Sequence, residues 1–448
     1  MHIRIRNFGP IKDFSFDLTK DFVVIFGKNN IGKSYAISVV YLILKSVLRI
    51  EKDRLAYVSM ISDQINALSE RIREELSQEK EMDIKKEIEE IVKDVGQSGF
   101  ISDFRESLCA TFEESDSVIS RFAKQRTDIR LCTNDVEITA EISKKGVNIS
   151  EVVIRTDSMI ATRGKTENHA TENNRLFLRT RGDERIALTK FVENILSTLY
   201  NQAILRIYYL PASRSGLYQA LNAFSPIFAE LSRNRGFLKG TVGIPSIPEP
   251  VSDYFLELSG IRIRENGNQD ILEIVGEMEK EILKGEVLFD PETKKILYKP
   301  FGTDMVLDTA LASSMVSELS PVVASLKYII AFTEAKPLLF IEEPEAHLHP
   351  ETQIRLTEMF SKLVRAGVRI VMTSHSDYMF NKMNNLILER KVDIASTRVV
   401  IFNETDEGSI AKDIPVEELG IDDENFLDSV EMLLNEKAEL IEKLNRNG

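Results

Sequence analysis

The sequence predicts an α/β fold with a mixed sheet at its core, and three observations carry that prediction. Short continuously apolar runs, DFVVIF (21–26), LLFIE (338–342) and VRIVMTS (368–374), read as strands buried on both faces. Each of them ends in a polar or glycine-containing loop with a helical pattern beyond it, as strands do at the carboxyl edge of a parallel sheet. The N-terminal stretch HIRIRNF–GPIKD–FSFDL instead alternates polar and apolar around a turn, which marks an antiparallel hairpin.

The elements follow in order. A helix is expected from Lys33 to about Ile50. From Lys52 to Val95 the chain is charged and helical, with Ile61, Ile65, Leu68, Ile72 and Leu76, then Ile84, Ile88 and Ile91, at three- and four-residue steps. This predicts a helical hairpin or short arm used for packing, with Gly96 as its stop. Residues 129–190 alternate like antiparallel strands, with turns at Asn134–Asp135 and Lys145–Gly146. The polar segment Arg163–Arg175 reads as a loop, and no role is assigned to its His169. A helix from Ala187, a strand ending at Pro211, a helix over 269–284 and a hairpin over Gly285–Pro300 follow, the hairpin turning at Asp290, Pro291 and Glu292. A helix is expected from Met315 to Thr333, then the LLFIE strand, a helix, a strand ending in His375, the strand TRVVIFN, a turn ETDEG and an acidic helix from Asp423 to Leu444. Four spans result: 1–50, a helical insertion over 51–128, a β-rich lobe over 129–190, and 191–448. No internal repeat is visible.

Composition narrows the classes. The chain has 448 residues, 43% hydrophobic and 29% charged, enough for a sizeable core. Apolar stretches such as AISVVYLIL (36–44) are too short to span a membrane, and the N-terminus lacks a signal-peptide layout. Cys109 and Cys132 form no CxxC pair, and a reducing cytoplasm is the simple expectation. Acids outnumber bases 71 to 57, a net charge of −14, so the surface as a whole does not attract nucleic acid. DNA contact would need a local patch, such as Arg175–Arg185 or Leu231–Gly240, and both read first as solvated segments.

The chemistry begins at GKNNIGKS, Gly27–Ser34. It matches G-x-x-x-x-G-K-[ST] and sits between an apolar strand and a helix. Successive backbone N–H groups there form a nest for phosphate, and the helix N-terminus adds partial positive charge. Gly27 and Gly32 permit the tight path. Lys33 is expected on the β- and γ-phosphates and Ser34 on magnesium, with Asn29, Asn30 and Tyr35 completing the nucleotide-contacting set. The second motif is FIEEPEAHLHP, Phe340–Pro350. Two carboxylates at the tip of a buried strand repel one another unless a cation sits there. Glu342 is the expected magnesium ligand, and Glu343 the base that polarises an attacking water. His375, closing a third strand, is the candidate sensor of the γ-phosphate. Lys33 and Glu342 lie 309 positions apart (342 − 33), so large insertions separate the halves of one site.

With these residues in view, the sequence resembles the ABC-type P-loop ATPases of the OLD group, relatives of the SMC and RecF ATPases. It is most similar in character to the stand-alone ATPase subunits of anti-phage systems such as Septu and PARIS. The resemblance rests on IRNFGPIKDFSFDL, IFGKNNIGKSYA, YYLPASRSGL, LFIEEPEAHLHP and VMTSHSDYMFNKMNN. It covers roughly residues 1–45 and 200–402. It implies an ABC-type core with a mixed sheet, a helical arm insertion and an antiparallel β-rich lobe. It also implies ATP and Mg2+ as cofactors, Glu343 as catalytic base, His375 as switch and Arg214 near the nucleotide. A homodimer or larger homo-oligomer would sandwich ATP between subunits, with Ser313 and Ser314 of one copy meeting the nucleotide of the other. In LASSMVSELSP, Met315 stands where the family has glycine, which implies slow turnover. Fewer than eighty residues follow His375, too few for the Toprim nuclease of full-length OLD proteins. The effector, a nuclease or toxin, is therefore expected to be a separate protein. A RecF-type repair ATPase that clamps DNA is the alternative.

Overall fold

The computed structural model describes residues 1–52, 59–79, 81–113, 126–143, 146–163, 171–172, 175–178, 184–200, 206–221 and 247–421. The acidic helix expected over 423–444, the patch Leu231–Gly240 and His169 lie outside these residues.

The chain opens with β1 (His2–Phe8), β2 (Ile11–Asp17) and β3 (Phe22–Gly27), followed by α1 (Lys33–Lys52). The insertion contributes α2 (Ser62–Gln78), β4 (Glu81–Asp83), α3 (Lys85–Val95) and α4 (Ser102–Phe112). Next come β5 (Thr127–Cys132), β6 (Val136–Ser143), β7 (Gly146–Ile154), β8 (Ile160–Arg163), β9 (Thr171–Glu172), β10 (Arg175–Leu178) and α5 (Glu184–Tyr200). The remainder runs through β11 (Ile207–Leu210), α6 (Glu249–Ser259), α7 (Gln269–Glu277), the hairpin β12 (Gly285–Asp290) and β13 (Lys295–Pro300), β14 (Leu307–Asp308) and α8 (Ser314–Tyr328). It closes with β15 (Leu338–Glu342), α9 (Pro350–Arg365), β16 (Arg369–Ser374), α10 (Asp377–Leu388), β17 (Thr397–Thr405) and β18 (Gly408–Ile414).

One 11-stranded sheet organises these pieces, in the order β11-β15-β16-β3-β17-β18-β2-β1-β5-β6-β7. The strands from β11 to β17 are mutually parallel, and β1, β5, β6 and β7 pair antiparallel, so the sheet is mixed. The alternating strands of 129–154 thus extend the main sheet, and β4, β8, β9 and β10 form a smaller sheet beside it. In β3, Val23 and Ile25 point into one core with α1 and the insertion helices, while Phe22, Val24 and Phe26 point into the other with α8, α9 and α10. This two-sided burial explains why the central strands read as unbroken apolar runs.

The isoleucine and leucine stripe of the insertion is buried in the first core, as its spacing predicted. Gly96 does not stop the helix. Its backbone is helical, and the chain continues as a π-turn over Gly96–Ile101 into α4. A Cβ on Gly96 would lie 2.5 Å from Ile149 Cδ1 of β7, so glycine is there for close approach of helix to strand. The ETDEG turn opens into a strand absent from the sequence reading, β18, which pairs with β17 and joins it to β2. Ser314–Phe332 has the length and apolarity of a membrane-spanning helix, alone among the described residues, and 72% of that window is buried inside the fold. Glu318 and Lys327 interrupt its apolar run in the sequence.

Phe340 of β15 is fully buried against Tyr41, Tyr209 and Phe16. Phe340→Ala is expected to cost about 3–5 kcal/mol, read as a lower urea midpoint with an unchanged m-value.

Candidate active site

The loop after β3 is shaped by backbone that favours glycine. Gly27 has φ +148, Asn30 φ +65 and Gly32 φ +98. A Cβ on Gly27 would meet Ile31 Cδ1 at 2.5 Å, and one on Gly32 would meet Pro10 Cγ at 2.8 Å. Lys33 opens the 20-residue α1, and its buried ammonium donates to the carbonyls of Gly27 and Lys28, both at 2.7 Å. Burial lowers its pKa, opposed by the carboxylates of Glu343 and Glu345. Phosphate oxygens are stronger acceptors than these neutral carbonyls, so the lysine suits an anionic ligand. Asn29 and Asn30 are exposed on the loop. The Tyr35 ring packs against Phe112 at 4.9 Å and Phe8 at 6.2 Å, so it ties the P-loop helix to the end of α4.

Glu342 is the last residue of β15 and is only 9% exposed. Ser34 Oγ donates to its Oε2 at 3.3 Å, and the Tyr209 hydroxyl donates to its Oε1. Ser38 Oγ lies 2.9 Å from the same hydroxyl. Burial pushes the Glu342 carboxyl above its usual range. The hydrogen bonds from Tyr209, the Ala212 backbone and Ser34 pull it down, and neighbouring Glu343 pushes it up. Burial also lifts Tyr209 well above its ordinary value, with Glu342 adding to the effect, which keeps the phenol a donor. Ser34 and Glu342 thus present a hydroxyl and a carboxylate side by side, a hard-oxygen pair suited to Mg2+, whose other ligands would be nucleotide phosphates and water. A cation there would relieve the cost of the buried charge.

Glu343 takes φ +39, a left-handed backbone that a side chain rarely adopts. Its N–H is pinned by Thr373, at 3.1 Å from the carbonyl and 3.3 Å from Oγ1. Arg214 sits differently from its expected nucleotide-proximal place. It is fully buried and donates to the carbonyls of Glu342 at 2.7 Å, Pro211 at 3.0 Å and Glu343 at 3.3 Å. Its remaining partner is Glu318, whose carbonyl accepts from Nε at 3.5 Å and whose carboxylate lies 3.7 Å from Nη2. Burial lowers its pKa, with Glu318 the main opposing charge. Arg214 is therefore a brace beneath the two carboxylates.

His375 follows β16. Its Nδ1 is 3.2 Å from Glu345 Oε1 and 4.0 Å from Glu343 Oε1. Glu345 is 3% exposed, and sequence reasoning missed it. The available signal was its place as a third acid in EEPE, just past a buried strand. Ser313 and Ser314 are not gathered with this group. Ser313 caps α8 by accepting from Val316 N, and both serines are exposed. Met315 is half-buried, with Thr352 Oγ1 3.9 Å from its sulfur.

Two outcomes follow from this packing. Because the folded state holds the Glu342 proton more tightly than the unfolded value of 4.5, stability falls as pH rises above 4.5 through the raised value. Without ligand, Glu342→Gln should therefore melt higher than wild type at pH 8, with the gap shrinking toward pH 4.5, as read by calorimetry. Arg214→Met leaves Glu318 buried and uncompensated, and should cost about 3–5 kcal/mol in chemical denaturation.

Residues 1–231 and 259–380 match the family model described as the AAA ATPase domain. No curated protein matches the chain. Among solved structures, it is similar to an Smc head bound to the C-winged helix domain of ScpA, at 13% identity and TM-score 0.40, over 93% of this chain and 98% of that one. An Smc head domain with an extended coiled coil, bound to the C-terminal domain of ScpA derived from Pyrococcus furiosus, gives 12% identity and TM-score 0.40, over 98% of each chain. The SMC head domain from Thermotoga maritima gives 9% and 0.37, over 93% of this chain and 98% of that one. The family match spans well over half of the sequence, with the P-loop and both carboxylates inside it: the chain belongs to the AAA ATPase domain family.

Proposed function

We propose that this chain is a Mg2+-dependent ATP hydrolase of ABC type that binds nucleotide between two copies of itself and controls a separate effector in an anti-phage defence system. The observation that carries the hydrolase reading is the meeting of Ser34 and Glu342. These residues are 308 positions apart, and their side chains lie 3.3 Å from one another at a phosphate-binding loop.

In this reading Gly27, Asn29, Asn30 and Gly32 shape the phosphate nest, and Lys33 exchanges its two carbonyl partners for phosphate oxygens. Ser34 and Glu342 hold Mg2+, which when bound neutralises charge developing on the phosphates. Glu343 takes the proton of the attacking water, and His375 contacts the terminal phosphate from the neighbouring strand. Ser313 and Ser314, exposed at the start of a 15-residue helix, serve the nucleotide of the second copy. Met315 beside them keeps turnover slow. The defence role and the effector, a nuclease or toxin, rest on the resemblance of the motifs to OLD-group ATPases. Two free cysteines fit a reducing cytoplasm.

Glu343→Gln should lower kcat by about 100-fold or more while retaining ATP, and Lys33→Ala should lose ATP binding. ATP should shift Glu343→Gln, but not Lys33→Ala, to dimers in sedimentation. Wild-type turnover by Glu343→Gln would contradict the assignment. Captured from cells with its neighbouring gene products, Glu343→Gln should hold a nuclease or toxin that Lys33→Ala releases. Capture of DNA alone would favour the repair-type alternative.

A further inference from the structure

We propose that Glu345 is the positioning residue of His375, fixing the imidazole with its Nδ1–H toward the Glu345 carboxylate and leaving Nε2 as the nitrogen that faces the reaction. The inference rests on the hydrolase reading for its catalytic consequence, but the contact itself is read from this chain alone.

Glu345 sits in the turn after β15, where Ala346 N donates to the Glu343 carbonyl at 3.1 Å and Leu348 N to the Glu345 carbonyl at 3.0 Å. Its Oε1 accepts from Ser374 Oγ at 2.7 Å and from His375 N at 2.7 Å, and it lies 3.2 Å from His375 Nδ1. One carboxylate oxygen therefore holds the backbone N–H of His375 and stands beside the ring nitrogen of the same residue. An ionised carboxylate accepts and never donates, so the ring contact is attractive only when Nδ1 carries the proton. Glu343 is the other carboxylate near the ring, and at 4.0 Å it is beyond hydrogen-bond reach. Ser376 completes the local order: its N–H donates to Ser374 Oγ at 3.0 Å, and its side chain caps α10.

A second observation separates Glu345 from an ordinary strand-end acceptor. Its Oε2 is buried and has no hydrogen-bond partner among the described residues. A buried carboxylate oxygen without a donor is costly, and a purely structural acceptor would be served as well by an amide or hydroxyl. Retaining the acid keeps a negative charge behind the ring, close enough to oppose part of the lowering that burial imposes on the Lys33 pKa across the loop. The arrangement parallels the way a second carboxylate orients a working histidine in other sites.

The test is a 1H–15N spectrum of protein labelled with 15N-histidine, at pH 8 without nucleotide. The chain has five histidines, and the His375 signals are assigned by their loss in His375→Gln. The expected result is the neutral Nδ1–H tautomer at His375. In Glu345→Ala the tautomer should change or average, ATP turnover should drop about 10- to 100-fold, and ATP affinity should stay within about threefold. Glu345→Gln keeps an acceptor oxygen and should restore the tautomer, but it lacks the negative charge behind the ring and should recover turnover only in part. An Nε2–H tautomer in the wild type overturns the proposal and needs no variant to fold. An unchanged tautomer with unchanged turnover in folded Glu345→Ala also overturns it. A wild type without ATP turnover sinks the hydrolase reading instead, and the spectrum still decides the tautomer.

Discussion

A carboxylate held out of water at the tip of β15 is the constraint around which the phosphate end of the sheet is arranged. Glu342 sits between two neighbouring strands. From β11, Tyr209 occupies one oxygen and is itself steadied by Ser38 of α1. From the start of α1, Ser34 reaches the other. Arg214 fills the space beneath with a guanidinium spread over four backbone carbonyls, so the strand end keeps its place although Glu343 adopts a left-handed backbone. A buried charge is tolerated when its hydrogen bonds are made, and a cation beside it turns a local cost into affinity. In the proposed function, a hard cation seated beside Glu342 would offset the burial that lifts its carboxyl.

The two halves of the site come from opposite ends of the sequence, yet only β16 separates β3 from β15 in the sheet. Loop-closure entropy grows slowly with length, so the large insertion between them is thermodynamically cheap. The insertion also repays its place. Its apolar stripe completes the core over α1, and Phe112 at the end of α4 packs on Tyr35, the residue after Ser34. The insertion therefore touches the helix that opens at the phosphate loop through an aromatic contact two residues past Lys33.

Much of this was legible in the sequence where the physics is local. The glycines of the P-loop, the EE pair after an apolar strand and the Asp290-Pro291 turn each state their backbone requirement within a few residues. Gly96 was misread because its reason lies across space, in Ile149 of β7. Strand β18 was missed because GSIAKDI is half-exposed and breaks alternation beside a register shift against β2. Arg214 was expected near the nucleotide from the resemblance of its segment alone, and that segment carries no sign of the carbonyls it meets. Glu345 was hidden in plain view: its partners Ser374 and His375 are about thirty positions away and meet it only once β15 and β16 pair.

The most direct measurement is a thermal-shift matrix of the wild type with Mg2+ alone, a non-hydrolysable ATP analogue alone, and both together. A split cation site, half protein and half phosphate, predicts that each alone gives a small shift and that the pair gives a much larger, non-additive one, lost in Ser34→Ala. Full stabilisation by the analogue without Mg2+, or equal synergy in Ser34→Ala, would contradict a cation seated between Ser34 and Glu342.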